Sequence, residues 1–184
     1  APQIPGVRTQ MYTSHHKPAK EAYGLSKVWE EASGAGFGAA MAARKLEHDD
    51  GFKPDIVLGH TGWGKLLFFK EIWPDVPILG FFEYFYRAKG GPVGFDPEEV
   101  VSEHTPFLLA ARNAVPFANI QNVDLGHVPT EWQKTTFPDS FHSKFYTCHD
   151  GIRTDLLKPD PEVRLGLGRL SQPLRRDDEV FTYM

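Results

Sequence analysis

Apolar and polar positions follow two different rhythms along this chain, and each change of rhythm marks an element. Val7, Thr9, Met11 and Thr13 alternate with Arg8, Gln10 and Tyr12, the period of a strand over residues 7–13. Val28, Trp29, Ala32, Ala39, Ala40, Ala43 and Leu46 then recur at three- and four-residue spacing, which predicts a helix over 25–48. Its glycines at 34, 36 and 38 each weaken a helix by about 1 kcal/mol relative to Ala, and they suit close packing of the helix on a sheet. Pro54 and Asp55 open the apolar run 56–59, of the kind found in buried parallel strands. Leu66, Leu67, Phe69 and Ile72 predict a core-facing helix over 63–73, stopped by Pro74 and Asp75, and residues 76–82 predict the next strand.

No period fits residues 84–102, so this stretch reads as a long loop, and long loops in compact domains are often functional. Residues 105–118 return to a helical pattern, interrupted near Pro116. A short strand follows at 125–128, then a helix over 131–136 with Thr130 as its N-cap, then a strand at 144–148. Asp150 and Gly151 turn the chain, and residues 159–173 form a polar connector punctuated by Gly and Pro. Strands alternating with helices predict an α/β fold, a three-layer Rossmann-like domain with a mostly parallel sheet. Ligands of such folds sit at the carboxyl ends of the strands. The residues to inspect are therefore Gly59 and His60, Phe82 and Glu83, Val128 and Pro129, and Cys148 to Asp150.

Composition narrows the classes. The 184 residues are 41% hydrophobic and 24% charged, ordinary for one globular domain and unlike a disordered, collagenous or coiled-coil chain. The single cysteine, Cys148, excludes a disulfide framework and a multi-cysteine zinc site. A net charge of −4 argues against a nucleic-acid module. The apolar runs fall far short of the roughly 20 residues a spanning helix needs, and there is no intact signal peptide. Both ends read as cuts through a longer protein, with the last residues resembling a strand as it begins.

Three clusters carry candidate chemistry. Gly59 to Lys65 satisfies the first seven positions of the phosphate-binding loop G-x-x-x-x-G-K-[ST], but Leu66 stands where the magnesium-binding hydroxyl belongs. The bland reading is a Gly-rich turn with free N–H groups. Glu83, Tyr84, Tyr86 and Arg87 place a carboxylate beside aromatics, a combination suited to sugar hydroxyls and pyranose faces; the alternative is a core aromatic cluster with a solvated Glu83. His60 stands at a strand end, where a single His is more often structural than reactive. Cys148 and His149 are adjacent strand residues that point to opposite faces, which discounts a thiol enzyme. His15 and His16 have no third ligand nearby in the sequence.

Several segments, taken in order, resemble the amino-terminal domain of glycosyltransferase family 4. Residues 54–64, from Pro54-Asp55 through His60 to Gly64, are similar to its P-D-[VI]-[VI]-x-x-H strand. Residues 80–88 with 93–97 resemble one bacterial subgroup. Residues 111–114, 129–133 and 137–138 continue the match, and residues 149–155 with Lys158 and Pro159 resemble the segment leading to the second domain. Residues 180–183 are similar to that domain's first strand. The resemblance covers residues 50–184.

The resemblance implies a GT-B enzyme in which two Rossmann-like domains face each other across a cleft. It implies retaining transfer of a sugar, hexosyl in type, from a nucleotide-sugar to a glycan or lipid-linked acceptor, as in polysaccharide biosynthesis. No metal and no resident cofactor are implied, the nucleotide-sugar being a co-substrate. Residues 1–160 would be the acceptor-side domain, without the family's first strand and Gly-rich loop. Residues 161–184 would be the connector and the start of the donor-binding domain, so that this piece alone would be inactive. Donor and acceptor are the expected partners, with no nucleic acid and no transmembrane segment, in the cytoplasm or peripheral to the inner membrane. His60 would stand near the reacting sugar and Glu83 would orient an acceptor hydroxyl. Gly62, Trp63 and Gly64 would line the cleft, Trp63, Tyr84 and Tyr86 would form the sugar-facing wall, and Arg87 would meet an anionic acceptor or phosphate. The family departs here at Asp150, where relatives carry Asn, and at Phe82-Glu83, where they carry His. Two other readings remain: a phosphate-loop nucleotide-binding protein using Gly59 to Lys65, and a non-catalytic binding module.

Overall fold

The computed structural model describes residues 4–98 and 100–162, with Arg164, Gly168, Leu174 and Asp178 as isolated positions. The strand expected at 180–183 lies outside the described residues. The chain divides into two units, Ala1–His149 and Asp150–Met184. In the second, Gly151 turns the chain at φ 82°, and Arg153 Nε donates to Asp155 Oδ1 at 2.8 Å.

The first unit contains a long helix α1 (Gly24–Asp50), strands β1 (Val57–His60) and β2 (Ile78–Phe81), helices α2 (Thr105–Arg112) and α3 (Ala114–Asn122), strand β3 (Leu125–Val128), helix α4 (Glu131–Thr136) and strand β4 (Phe145–Thr147). The four strands form one all-parallel sheet in the order β1-β2-β3-β4. This is the α/β Rossmann-like architecture that the alternating pattern predicts.

Strand order follows the chain without reversal. Parallel crossovers are right-handed, so all three connections fall on one face of the sheet. That face holds the main core: Ile78, Val128 and Phe145 from the strands, with Phe82 just past β2, meet Leu66, Ile120, Val123 and Phe137. Phe82, Phe137 and Phe145 pack ring against ring, with centroids 4.9 to 5.7 Å apart, a geometry that adds to simple area burial. Gly59, Gly80 and Gly126 lie in register across three strands on this face. Their missing Cβ atoms leave space for Leu66, Thr61 and Phe145.

The opposite face carries Leu58, Leu79 and Leu125 in one row, then His60, Phe81, His127 and Tyr146 in the next. Leu58 is 66% exposed and Tyr146 62%. Of the two helical layers in a three-layer arrangement, the described residues supply the one on the core face.

Four expectations are corrected. Residues 7–13 form no strand; alternation favours a strand, but a ladder needs a partner, and this segment finds α1 instead. His15 N–H donates to the Gly34 carbonyl at 3.0 Å, and a Cβ on Gly34 or Gly38 would strike the backbone of His16 or Thr13. The α1 glycines therefore serve close approach, but to this extended segment and, at Gly36, to the Gly64 turn, and not to the sheet. Residues 63–73 form no α-helix. A 3-10 turn, Thr61–Trp63, leads into the stretch and a second, Phe69–Glu71, lies within it; Asn122 of α3 donates to the Leu67 carbonyl, which a helix here would have used internally, and Asn119 donates to the Thr61 carbonyl just before the stretch. The break expected near Pro116 falls at Asn113. Pro116 itself sits in the first turn of α3, where its missing N–H has no intrahelical bond to lose.

Candidate functional site

The carboxyl ends of β1 and β2 open into a small cleft. His60 is the last residue of β1. The turn that follows, Thr61–Trp63, ends at Gly64 with φ 72°. Thr61 Oγ1 donates to the Phe81 carbonyl at 2.8 Å, which ties this turn to the end of β2. His60, Thr61, Gly62, Trp63, Glu83, Tyr84, Tyr86, Arg112 and Pro116 enclose a cavity of about 60 Å³.

His60 is held from both sides. Its Nδ1 accepts the Gly62 N–H at 3.0 Å. The ring proton therefore belongs on Nε2, which faces the Glu83 Oε2 at 3.2 Å. Glu83 is itself anchored through its backbone. The Gln133 side-chain amide donates to the Glu83 carbonyl at 2.9 Å, and Gln133 Oε1 accepts from the Thr130 hydroxyl at 2.7 Å. Thr130 is the N-cap of α4, accepting the Gln133 N–H at 3.1 Å, as its sequence position predicts.

The aromatic wall has two parts. Tyr84 packs edge-on to Tyr86, centroids 5.3 Å apart, and lies 5.7 Å from Trp132. Trp63 stands 5.9 Å from the His60 ring. Asn113 fixes Tyr86 by pairing with both of its backbone groups, at 2.9 Å and 2.8 Å. The Tyr84 hydroxyl is shut off from solvent and has no hydrogen-bond partner among the described residues. Burial raises the pKa of this phenol, and Tyr86 adds to the rise, against the charge of Arg87. Tyr84 thus remains a hydroxyl at neutral pH, covered where it lies against Gly91 of the loop that follows.

The structure brings together His60, Gly62, Trp63, Glu83, Tyr84 and Tyr86. Gly64 lies behind them, buried against the Ala32 backbone of α1. Arg87 turns away: its Nε and Nη2 donate to the Thr136 and Thr135 carbonyls at 2.8 and 2.7 Å, at the carbonyl end of α4 where a cation is favoured. The cation at the cavity is Arg112, whose guanidinium carbon sits 4.4 Å above the Tyr86 ring. Arg112, Trp132 and Gln133 lie 25 residues or more beyond Arg87 in the chain, and no local motif points to them. Their only sequence signal was membership of the ordered segments quoted above.

A phosphate loop is absent. Gly62 N–H is taken by His60 Nδ1, Gly64 N–H by the Thr61 carbonyl, and Leu67 N–H by the Gly64 carbonyl. No α-helix begins there, and Leu66 is buried in the core at 2% exposure. Among the described residues no three His, Cys, Asp or Glu side chains converge as a metal site, and no helix is long and apolar enough to cross a membrane.

An all-parallel sheet with helices between its strands and a polar, aromatic-walled cleft at its strand ends defines an α/β domain of the Rossmann-like class. A family model described as the glycosyl transferase family 4 group matches residues 1–157, and the chain belongs to that family. The match takes in residues 1–49 as well as the segments from residue 50 onward that resemble the family, and it ends before residue 158. No curated protein gives a significant match. Membership makes this a glycosyltransferase domain, with a sugar donor and an acceptor as its partners.

Proposed function

We propose that residues 1–160 form the acceptor-side domain of a retaining glycosyltransferase of the GT-B arrangement. It would move a hexosyl group from a nucleotide-sugar to a glycan or lipid-linked acceptor in the cytoplasm. Residues 161–184 would lead into the donor-binding domain. The nucleotide-sugar is then a co-substrate, and no metal enters the scheme. The observation that carries this reading is the His60–Glu83 pair, oriented from both sides and walled by Trp63, Tyr84 and Tyr86 at the strand ends.

The roles follow from the donors and acceptors present. An exposed carboxylate at Glu83 accepts the acceptor hydroxyl and aims its oxygen at the anomeric carbon. His60 presents Nε2–H to the same carboxylate and stands where the reacting sugar arrives. The aromatic faces cover the pyranose C–H surfaces. Catalysis of this kind is positioning plus electrostatic stabilisation of an oxocarbenium-like centre and a departing diphosphate. A cleft with a single wall cannot hold donor or exclude water, so the chain without a donor domain would be inactive.

The test is release of nucleotide from a panel of nucleotide-sugars by the two-domain enzyme, with this chain alone as control. Glu83→Gln is expected to lower turnover about a hundredfold, as loss of a general acid–base or orienting carboxylate does, with the donor KM unchanged. Undiminished turnover removes Glu83 from the reaction. Silence with every donor, together with magnesium-dependent ATP binding by this chain, overturns the reading.

A further inference from the structure

The strand-end cleft does not stop at Trp63. On the far side of the indole a second hollow of about 360 Å³ opens between α1 and the Gly62 turn, lined by Val28, Ala32, Ala35, Glu31, Lys65 and Arg112 among others. Gly62, Trp63 and Arg112 border both hollows. Ligand pockets usually measure about 300–1,000 Å³. The first hollow, at about 60 Å³, admits only the reacting end of a molecule, and the second has room for its body.

The chemistry of the second hollow is uneven. Its α1 side sets Val28 and the small side chains of Ala32 and Ala35 beside the carboxylate of Glu31. Its other side has two cations, and neither Lys65 nor Arg112 has a carboxylate within 4 Å among the described residues. Glu31 leaves the lining with one positive charge in excess. Arg112 ends α2, and its guanidinium carbon lies over the Tyr86 ring, 4.4 Å from the centroid. A guanidinium held against a ring face keeps N–H donors for a second ligand, and Arg can grip a carboxylate or phosphate with two parallel bonds.

We propose that this hollow is a subsite for an anionic group carried by the acceptor, a carboxylate or a phosphate ester, gripped by Arg112 with help from Lys65 and seated against Trp63. That the anion belongs to an acceptor rests on the transferase reading above; that the hollow binds an anion does not. The anion Arg87 was expected to meet is thereby assigned to Arg112.

The test titrates this chain with glucose 1-phosphate, methyl glucuronide and the neutral methyl glucoside, following tryptophan fluorescence, with Trp63→Phe identifying the reporting indole. At least one anionic probe is expected to bind saturably, and the glucoside about tenfold more weakly or not at all. Arg112→Met keeps the stem on Tyr86 and removes the charge; it is expected to raise Kd about tenfold or more, the worth of a charge-assisted hydrogen bond. Arg112→Lys recovers part of the affinity, and Lys65→Gln, at an exposed position, gives a smaller rise without risk to folding. Preference for the phosphate or for the uronate names the source of the anion. Equal Kd in wild type, Arg112→Met and Lys65→Gln overturns the proposal, as does equal binding of the neutral glucoside or no saturable binding of either anion. Anion binding by a protein that releases nucleotide from no donor would leave the subsite standing and remove the transferase reading. Transfer to an acceptor indifferent to Arg112→Met would do the reverse.

Discussion

His60 and Tyr86 owe their positions to groups that no single segment contains. The His60 ring is set by Gly62 two residues on and by Glu83 on the next strand's extension. Tyr86 is set by Asn113, which takes the place of a strand neighbour by pairing with both its N–H and its carbonyl. Asn113→Ala removes two hydrogen bonds at a buried position, and at about 1 kcal/mol each the expected loss is about 2 kcal/mol in chemical denaturation, with the Tyr86 wall displaced and turnover reduced. Asn113→Asp restores only the bond that needs an acceptor, so it is expected to lie between wild type and Ala. Asp124 is a second residue whose partners are distant. It accepts Lys70 Nζ at 2.8 Å and the Ile78 N–H at 2.7 Å, and these bonds, led by the one from Lys70, hold its carboxyl below the usual carboxylate range. A depressed folded value means the stabilisation is present above about pH 4, where the unfolded carboxyl is also ionised, and is lost as pH falls through the lower folded value. Asp124→Ala is therefore expected to reduce stability at pH 7 by about 1 kcal/mol, for the orphaned Ile78 N–H, and the gap to wild type should narrow as the pH falls through the depressed folded value.

The four observed strands and three of the four helical segments lie where the hydrophobic period puts them, because a short apolar run between turn residues has few places to go other than a sheet. The stretch 63–73 shows the limit of that argument. Its apolar residues at three- and four-residue spacing bury as expected at Leu66 and Leu67, but the same spacing serves a 3-10 turn at Phe69–Glu71 once α3 takes the Leu67 carbonyl. Periodicity reports which side chains are buried and says less about which backbone hydrogen bonds are made. The glycines of α1 illustrate the same division. Their presence in a helix marks a close approach, and only the packed chain identifies the partner. Gly36 backs directly onto Gly64, the residue that closes the Trp63 turn. Gly36→Ala forces these backbones apart, an overpacking expected to cost about 1–3 kcal/mol in thermal or denaturant unfolding. Because the displaced element is the turn shared by both hollows, anion and acceptor affinity should fall with it. Gly24→Ala, at the open start of the same helix with nothing near its Cβ, is the control expected to leave both unchanged.

At the scale of the whole molecule the sheet is asymmetric. Parallel sheets are normally covered on both faces, yet here Leu58, Leu125 and Tyr146 line an exposed apolar face, and the crossovers all lie on the other. A contiguous apolar surface of this kind binds hydrophobic dyes and promotes association. This chain is expected to enhance the fluorescence of an anilinonaphthalene sulfonate while its near-ultraviolet circular dichroism stays native. The double variant Leu58→Thr with Leu125→Thr should reduce the enhancement without loss of the dichroism, and an unchanged signal would place the dye elsewhere. The cleft sits at one end of this sheet, at the carboxyl ends of β1 and β2, the position that parallel topology leaves open in any such fold.

The sequence by itself determined the alternation of elements, the class of fold, the family, and the two strand ends that meet at the cleft, since all of these follow from local period and from the order of short motifs. Tertiary structure alone decided which cation faces the cleft. Arg87 is adjacent to the aromatic cluster in the chain and spends its donors on the α4 carbonyls, whereas Arg112 arrives at the end of another helix and stacks on Tyr86. It also decided that the Gly59–Lys65 segment is a turn with engaged amides and no phosphate cradle. A residue's type states what it is able to bond, but the folded chain chooses the partner: for the two arginines a group far off in sequence, for the turn amides an acceptor two or three residues back, each selected by what the fold brings within bonding distance.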